Sequence, residues 1–341
     1  MSPREYDESD VHVRPGRRGS RPRTKRRPDH ADAQEAMVTV VDRGRWTCAP
    51  HADADAPPVT AMRARELGRT PIVVGDRVGL VGDLSGAPDT LARIVRVEER
   101  RSVLRRTADD TDPYERIVVA NADQLVIVTA LADPEPREGF VDRCVVAAFA
   151  GGLTPVLCLT KSDLADPAPF AALYADLEFP VVVTRRGTPP DELAERLAGK
   201  VSCLVGHSGV GKSTLVNALV PDAAQRTGVV SGVGKGRHTT TAALALPLPG
   251  SVGWVVDTPG VRSFGLAHVT PDDVIAAFDD LAAAVEDCPR GCGHFGPPAD
   301  PECALDALVD SGALRPGRLV ALRRVLVALR AAPPGAAPTE R

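Results

Sequence analysis

The segment that decides the fold is Gly206-His207-Ser208-Gly209-Val210-Gly211-Lys212-Ser213, a G-x-x-x-x-G-K-S pattern in a chain of 341 residues. The apolar run over 201–205 predicts a buried strand before it, and 213–220, closed by Pro221, predicts a helix after it. Gly209 and Gly211 let backbone N–H groups turn around an anion, and the helix N-terminus adds partial positive charge at the same place. The pattern therefore predicts a phosphate-binding loop.

This loop and the start of its helix carry the predicted contacts to a nucleotide. Lys212 is expected to reach the terminal phosphates, and the hydroxyl of Ser213 is expected to bind Mg²⁺. The predicted phosphate site consists of Gly206, His207, Ser208, Gly209, Val210, Gly211, Lys212, Ser213 and Thr214.

A second motif, Asp257-Thr258-Pro259-Gly260, follows the apolar segment 252–256, which predicts another buried strand. Asp257 would then lie at the carboxyl end of a strand, the edge at which open α/β sheets bind ligands. There it is expected to hold Mg²⁺, directly or through water, while the Gly260 N–H meets the γ-phosphate.

A third motif, Thr160-Lys161-Ser162-Asp163, follows the predicted strand 155–159. The Asp163 carboxylate can accept hydrogen bonds from N1–H and the exocyclic amine of guanine, whereas adenine presents an acceptor at N1 and is rejected. Lys161 is expected to lie along the base plane. The motif usually begins with Asn, and the shorter Thr160 is expected to weaken contacts to the base or to the phosphate loop. The segment 180–184 predicts one more strand, with a loop at 184–187 behind the base.

The segment 227–241 contains four glycines and no apolar periodicity. It predicts a switch loop that a nucleotide orders, with Thr240 supplying a second hydroxyl to Mg²⁺. A long flexible loop without that role is the alternative. Val261 occupies the position at which many GTPases have a Gln that orients the attacking water, so His238 is the candidate for that role. Arg237 is a candidate for the arginine that stabilises the charge of the transition state. Slow hydrolysis that a partner accelerates is the expected consequence.

The order of the motifs is unusual. The guanine-recognition segment 160–163 precedes the phosphate loop 206–213, and the D-x-x-G turn 257–260 follows both. In an ordinary GTPase the phosphate loop is first and base recognition comes near the end. The order predicts a circularly permuted P-loop GTPase domain with a mostly parallel sheet over 119–266, a rearrangement that closely spaced termini make tolerable.

The composition is ordinary for a globular protein with room for two or three domains, with 43% apolar residues and a net charge of −4. No apolar run reaches the ~18 to 20 residues of a membrane span, and the charged N-terminus has no signal-peptide pattern. The expectation is a cytoplasmic, monomeric protein without a membrane partner.

Short strand-like runs between turns predict a small OB-like β-barrel that binds RNA over 37–118, of OB-fold or SH3-like topology. Trp46, in its first predicted connection, is expected in the barrel core rather than as a base-stacking platform. The Arg-rich segment 1–36 predicts a disordered basic arm, which either tethers nucleic acid or only solubilises the chain. Segment 267–332 is predicted as a helical zinc-binding domain and 333–341 as a flexible tail.

Helices are predicted over 140–150, 271–285 and 316–331. The last of them carries arginines that are expected to form a solvated face, with contact to phosphates as the alternative: Arg318, Arg323, Arg324 and Arg330. The complete fold prediction is therefore a multidomain α/β protein with a barrel, a permuted GTPase domain and a helical zinc module.

The cysteines include a cluster within sixteen residues, with the pattern C-x₃-C-x-H-x₈-C formed by Cys288, Cys292, His294 and Cys303. Soft thiolates with one imidazole are ligands that tetrahedral Zn²⁺ prefers, and four protein ligands leave no position for a reactive water. The pattern predicts one structural zinc ion per chain, because a reducing cytosol disfavours disulfides. The other cysteines in apolar segments are expected to be core thiols: Cys144, Cys158 and Cys203.

The combination resembles the RsgA (YjeQ) family of small-ribosomal-subunit biogenesis GTPases. The resemblance covers about 37–330 and includes the stretches Val74-Gly75-Asp76, Ala120-Asn121-Ala122-Asp123-Gln124 and Gly236-Arg237-His238-Thr239-Thr240-Thr241. It implies binding to the 30S subunit and its 16S rRNA late in assembly, GTP hydrolysis to GDP that the subunit stimulates, and a role of His238 in positioning water. The chain departs from the family in its zinc-ligand spacings, in Thr160 and in its basic arm.

Two alternatives stay open at this point. A permuted GTPase of the large subunit would comigrate with 50S particles, although the barrel and the zinc pattern argue against it. The second alternative is a nucleic-acid-binding module whose nucleotide site only switches conformation. Such a protein would dissociate from 30S particles whether or not it hydrolyses GTP.

Overall fold

The computed structural model describes residues 30–53, 55–106, 116–221, 243–258, 266 and 269–329. These residues form a barrel, a sheet with apolar clusters on its two faces, and a helical C-terminal module. Residues 1–29 of the predicted arm, the predicted switch segment 227–241 and the predicted tail 333–341 lie outside the described residues.

The first five strands form the barrel: β1 (Gln34–Asp42), β2 (Arg45–Pro50), β3 (Val59–Arg63), β4 (Arg77–Gly82) and β5 (Ala92–Val97). They close in the order β1-β2-β3-β5-β4, because β1 pairs with both β2 and β4. The predicted OB-like barrel is confirmed. Its details differ from the prediction, since β1 begins inside the predicted arm and β2 occupies a segment predicted as a connection.

Trp46 lies in β2 and points into the barrel. It is 7% exposed, and its indole N–H donates to the Ile72 carbonyl at 3.2 Å. The barrel core around it consists of apolar side chains from all five strands, among them Val38, Cys48, Ala61, Val78 and Ile94. The predicted core position of Trp46 is confirmed.

A mixed sheet follows, composed of β8 (Gln124–Ala130), β9 (Thr154–Thr160), β10 (Val181–Val183), β11 (Val201–Val205), β12 (Leu244–Pro247) and β13 (Trp254–Asp257). Its order is β10-β9-β8-β11-β13-β12; all neighbours are parallel except β12, which is antiparallel to β13. A hairpin of β6 (Val103–Arg106) and β7 (Arg116–Ala120) lies between barrel and sheet in the sequence. Both faces of the sheet are covered, which explains why its strands are almost entirely apolar.

The described helices are α1 (Glu138–Ala150), α2 (Ala168–Ala172), α3 (Asp191–Leu197), α4 (Lys212–Leu219), α5 (Pro271–Ile275), α6 (Asp279–Ala282), α7 (Ala304–Asp310) and α8 (Pro316–Val327). The predicted helix 271–285 is in fact two short helices, α5 and α6, followed by a 3₁₀ turn over Ala284–Asp287. Within the described part of the chain, no helix combines the length and the apolar content that crossing a bilayer requires.

Three cysteines are part of the sheet and its covering helix, as predicted. Cys144, Cys158 and Cys203 are 0% exposed. Burial raises the pKa of the Cys158 and Cys203 thiols to about 12, which keeps them protonated and unreactive.

The barrel joins the mixed sheet through main-chain contacts. Val40 of β1 pairs with Leu244 of β12, so the two units share one continuous sheet. Gly75 approaches so closely that a Cβ atom there would lie 1.9 Å from the Ala120 carbonyl oxygen. Asn121 closes the joint by donating from Nδ2 to the Gly75 carbonyl at 3.0 Å.

The C-terminal module joins the rest of the chain through side chains of α8. Arg318 is 7% exposed and binds both carboxylate oxygens of Asp280 at 3.0 Å, as well as Glu178 at 2.9 Å. The Arg324 guanidinium lies 4.4 Å from the centroid of the Tyr174 ring, which belongs to the segment between β9 and β10. The prediction of a solvated arginine face was therefore wrong for the described arginines, because acidic and aromatic partners from other segments cover them.

Candidate nucleotide site and metal centre

Three of the predicted motifs meet at one edge of the sheet. The strands β8, β9, β11 and β13 are parallel, so their carboxyl ends lie together. In register, Thr160 is opposite Ala130, and Asp257 is opposite Leu204. The guanine-recognition segment, the phosphate loop and the D-x-x-G turn therefore all begin at this edge, although they are far apart in the sequence.

The phosphate loop has the predicted strand-loop-helix form. It leaves β11 at Gly206, and α4 begins at Lys212. Gly209 and Gly211 have φ angles of +83° and +93°, which L side chains rarely adopt. A Cβ atom at Gly206 would lie 2.6 Å from the Val128 carbonyl oxygen, so only glycine fits beside β8. Backbone N–H groups at the start of α4 can bind an anion here.

Lys212 and Asp257 contact each other across this edge. The Lys212 ammonium donates to Oδ1 of Asp257, and the two side chains are 13% and 28% exposed. The phosphate-binding lysine and the Mg²⁺-binding carboxylate of the sequence prediction are thus neighbours, as a site for a metal-bound nucleotide requires.

Thr160 has a direct contact to the phosphate loop. Its hydroxyl donates to the Val210 carbonyl at 2.6 Å, and the Thr129 carbonyl lies farther away at 3.3 Å. The side chain is buried, with 5% exposure. The side chain of Thr160 therefore reaches the phosphate loop directly.

The rest of the guanine-recognition segment forms an open turn. Lys161 has a φ of +59°, and its ammonium donates to the Asp133 carbonyl. The Ser162 N–H donates to the Thr184 carbonyl at 3.3 Å, which attaches the turn to the predicted base-backing loop. Asp163 is exposed at the end of this turn, where a carboxylate can receive a base.

Two neighbours of the site were not predicted. Phe140 of α1 packs against the His207 ring, with centroids 4.1 Å apart. The Thr258 hydroxyl donates to the Leu204 carbonyl at 2.8 Å and fixes the start of the D-x-x-G turn on β11. No local pattern could reveal these contacts, because each partner comes from a distant segment. The predicted site residues His238, Thr240 and Gly260 lie outside the described residues.

The structure brings the four predicted metal ligands together. The ligand atoms of Cys288, Cys292, His294 and Cys303 all lie within 4.8 Å of one another. Nδ1 of His294 is 3.5 Å from Cys288 Sγ and 3.8 Å from Cys303 Sγ. Three thiols and one imidazole nitrogen at these separations fit tetrahedral Zn²⁺.

The loop that carries His294 is held by charged side chains. Asp300 accepts from the N–H groups of Gly293 at 3.0 Å and Phe295 at 2.8 Å. Arg323 donates from Nε to the His294 carbonyl at 3.0 Å. Desolvation raises the pKa of the Cys292 thiol to about 12, and a bound cation would oppose this shift by stabilising the thiolate.

The fold and the site define a class of protein: a circularly permuted P-loop GTPase, which is a GTP hydrolase, with an N-terminal OB-like barrel and a C-terminal Cys₃His cluster. The family model described as RsgA GTPase matches residues 97–267. The chain belongs to this family.

Curated relatives and solved structures agree with this assignment. A protein of Ectopseudomonas mendocina named small ribosomal subunit biogenesis GTPase RsgA is 41% identical over 62% of this chain and 63% of that relative. A Pseudomonas aeruginosa protein of the same name is 38% identical over 76% of each chain. The crystal structure of YjeQ from Thermotoga maritima has a TM-score of 0.61 and 26% identity, covering 87% of this chain and 98% of that one.

A second solved structure supports the fold alone. The structure of YloQ, described as a circularly permuted GTPase, has a TM-score of 0.62 at 22% identity and covers 89% of this chain and 96% of that one.

Proposed function

We propose that this protein acts in the biogenesis of the small ribosomal subunit, by binding the 30S subunit and hydrolysing GTP to GDP and phosphate faster when the subunit is bound. The observation that carries the proposal is the meeting of three separated motifs at one sheet edge. The names of the relatives at 38% to 41% identity support the ribosomal role.

The nucleotide is assigned to the edge at which β9, β11 and β13 end. The residues Gly206 to Thr214 would wrap the phosphates, with Lys212 on the terminal ones. Ser213 and Asp257 would hold Mg²⁺. Asp163 would select guanine, because its carboxylate can accept from the base N1–H and amine. The contact between Lys212 and Asp257 supports this arrangement, because it shows that the groups for phosphate and metal are within reach of each other.

Thr160 is assigned to the phosphate loop rather than to the base. Its hydroxyl already donates to Val210 at 2.6 Å, so its single proton is used. Replacing it with the isosteric valine would leave the Val210 carbonyl without this donor, and we expect GTP and GDP to bind about 5- to 20-fold more weakly. Thr160→Ser, which keeps the hydroxyl, should restore binding in a fluorescent-nucleotide titration. Unchanged affinity in Thr160→Val would contradict the assignment.

Three further roles belong to positions outside the described residues. The Gly260 N–H would meet the γ-phosphate, Thr240 would supply a second hydroxyl to Mg²⁺, and His238 would orient the attacking water. These roles are supported by the sequence pattern and by the family model, whose match over 97–267 includes all three positions.

The Cys₃His cluster would hold one structural zinc ion. Four protein ligands leave no open position, so the ion would stabilise the loop and take no part in the hydrolysis. Elemental measurement on purified protein should give one zinc per chain, and its absence would refute this part of the proposal.

The ribosomal contact is assigned to the barrel, to the basic arm and to 16S rRNA. Since Trp46 is enclosed in the barrel core, it cannot stack on a base. The exposed barrel residues Arg43, Arg45 and Arg93 are the candidates for phosphate contacts. We also propose a cytoplasmic monomer with three domains: a barrel domain over 37–118, extended at its start by the first residues of β1 from Gln34, a GTPase domain over 119–266 and a zinc domain over 267–332.

The test is GTP turnover by the full chain, measured alone, with purified 30S subunits and with 50S subunits. We expect slow turnover alone and at least about 10-fold stimulation by 30S only. Lys212→Ala is the control for contaminating activity. Stimulation by 50S instead would assign the protein to the large subunit. GTP-dependent binding to 30S, with release that does not depend on hydrolysis, would favour a switch without useful turnover.

A further inference from the structure

The imidazole of His294 has an environment that differs at its two nitrogens. Nδ1 faces Cys288 Sγ at 3.5 Å and Cys303 Sγ at 3.8 Å. Nε2 lies on the opposite side of the ring, 2.8 Å from Oδ1 of Asp272. The ring itself is 3% exposed, so it has little freedom to exchange these two partners.

The contact to Asp272 determines which nitrogen carries the proton. A carboxylate can only accept, so the 2.8 Å contact requires a proton on Nε2 of His294. In the neutral imidazole this leaves the lone pair on Nδ1, which is the atom directed toward the thiols. A ligating histidine oriented in this way is a stronger and better-aligned metal ligand.

We propose that Asp272 is the positioning residue of the metal centre: it selects the Nδ1 ligand of His294 and thereby slows the loss of zinc. The contact of Asp272 to the metal cluster is the one to the His294 imidazole, so Asp272 acts on the metal only through that ring. The proposal rests on the zinc site proposed above.

The location of Asp272 at the start of a helix means that its contact to His294 joins two parts of the structure. It is the second residue of α5, whose start is fixed by a capping box between Thr270 and Asp273. Val274 and Ile275 on the same helix are fully buried, in the apolar cluster that also contains residues of α1. Asp272 therefore connects the zinc loop to a helix that is packed on the GTPase domain.

The exposure of Asp272 makes a mutational test interpretable. Its side chain is 74% exposed, so its removal opens no cavity, and the buried group that loses a partner is Nε2 of His294, the group under test. Glu302 is a matched control: it is an exposed carboxylate next to Cys303, and among the described residues the hydrogen-bond partners of His294 do not include it. Both variants remove one negative charge close to the metal ligands, but only one removes the contact to Nε2.

The experiment measures zinc transfer from the purified full chain to a chromogenic chelator, for wild type, Asp272→Ala, Asp272→Asn and Glu302→Ala. We expect Asp272→Ala to release zinc about 10- to 100-fold faster, Glu302→Ala to match wild type, and Asp272→Asn to lie between, because its amide oxygen can still accept. Equal rates for Asp272→Ala and Glu302→Ala would overturn the proposal.

A second measurement does not depend on any variant. Long-range ¹H–¹⁵N NMR of the zinc-loaded wild type should show His294 with metal-bound Nδ1 and protonated Nε2. A metal-bound Nε2 would overturn the proposal even if the zinc site exists. A wild type that holds no zinc would instead refute the proposed zinc site itself.

Discussion

The contact between the barrel and the GTPase domain and the contact between the C-terminal module and the GTPase domain, the two joints of this molecule, are formed by different groups. The barrel meets the GTPase domain main chain to main chain, through Gly75, Asn121 and the pairing of β1 with β12. The C-terminal module meets it through side chains, with Arg318 and Arg324 as the charged members of an apolar contact. The barrel is therefore expected to move with the sheet, whereas contacts of the module depend on charge and pH.

The difference matters because of where each joint lies. β12, which pairs with the barrel, follows the predicted switch segment directly, and β13 carries Asp257. Trp254 of β13 also donates its indole N–H to the Ala52 carbonyl of the barrel at 3.2 Å. Both strands that adjoin the predicted switch segments thus contact the barrel, and a rigid joint is suited to transmitting small displacements.

The largest effect is expected at the main-chain joint. In Gly75→Ala the new Cβ would lie 1.9 Å from the Ala120 oxygen, at a φ of +88°. We expect a loss of at least about 3 kcal/mol in the free energy of unfolding, or failure to fold. The measurement is urea unfolding followed by tryptophan fluorescence.

Gly44→Ala is the matched control for this variant. Gly44 has a similar φ of +84° but no atom within 4 Å of the added Cβ. It should lose only about 1 kcal/mol, the cost of the left-handed backbone conformation. Equal losses in the two variants would show that the joint is not tightly packed.

A pH-dependent effect is expected at the side-chain joint. Burial raises the pKa of Asp142 on α1 from 3.8 to about 6, although Arg324 opposes the shift. Oδ1 of Asp142 and Nη2 of Arg324 are 3.4 Å apart but are not aligned for a hydrogen bond. The pair therefore compensates only part of the cost of burying the carboxylate.

The sign of the pH dependence follows from this raised pKa. The folded state binds the Asp142 proton more tightly than the unfolded state, so the contribution is complete below pH 3.8 and is lost as the pH rises through about 6. Relative to Asp142→Asn, which does not titrate, wild type should lose about 2 to 3 kcal/mol between pH 4 and pH 7. Chemical unfolding of both proteins across this range is the measurement, and a constant difference would contradict it.

A smaller effect is expected from the arginines of α8. Arg318→Met removes hydrogen bonds to Asp280 and Glu178 and a stacking contact 5.3 Å from the Phe278 centroid. The carboxylate partners are half-exposed and stay solvated, so we expect a loss of about 1 to 2 kcal/mol. Thermal unfolding checks this value.

Arg315→Met is the control for Arg318→Met. Arg315 binds Asp176 and Glu178, but its side chain is 62% exposed. Its loss should cost no more than about 0.5 kcal/mol, less at high salt. If the two arginines contributed equally, the charged part of the side-chain joint would be no more than a set of surface ion pairs.

The sequence predicts the nucleotide edge better than the joints, for a physical reason. The phosphate loop and the cysteine cluster are local patterns, in which neighbouring residues such as Gly209 and Gly211 determine the geometry. The partners of Arg318 are more than thirty residues away along the chain, at Asp280 and Glu178. Their proximity is a result of packing, and periodicity alone suggested a solvated face instead.

Strand β2 and Thr160 show the same limit on a smaller scale. β2 follows β1 after a short turn and was predicted as a connection, because pairing within the barrel and not local apolarity defines it. The contact of Thr160 to Val210 does not follow from the motif either, since the distance from β9 to Val210 depends on how the phosphate loop lies over the strand.

The position of the nucleotide is tested most directly at the guanine-recognition segment, which precedes the phosphate loop in the sequence. If Asp163 reads the base, Asp163→Asn should exchange specificity, because an amide accepts from N1–H and donates to the C2 carbonyl of xanthine. We predict that wild type binds GTP at least about 100-fold more tightly than XTP and that Asp163→Asn prefers XTP. Asp166 is an exposed carboxylate in the same loop, and the control variant Asp166→Asn should keep the GTP preference of wild type. Retained GTP preference in Asp163→Asn would contradict the assignment of the nucleotide to this edge.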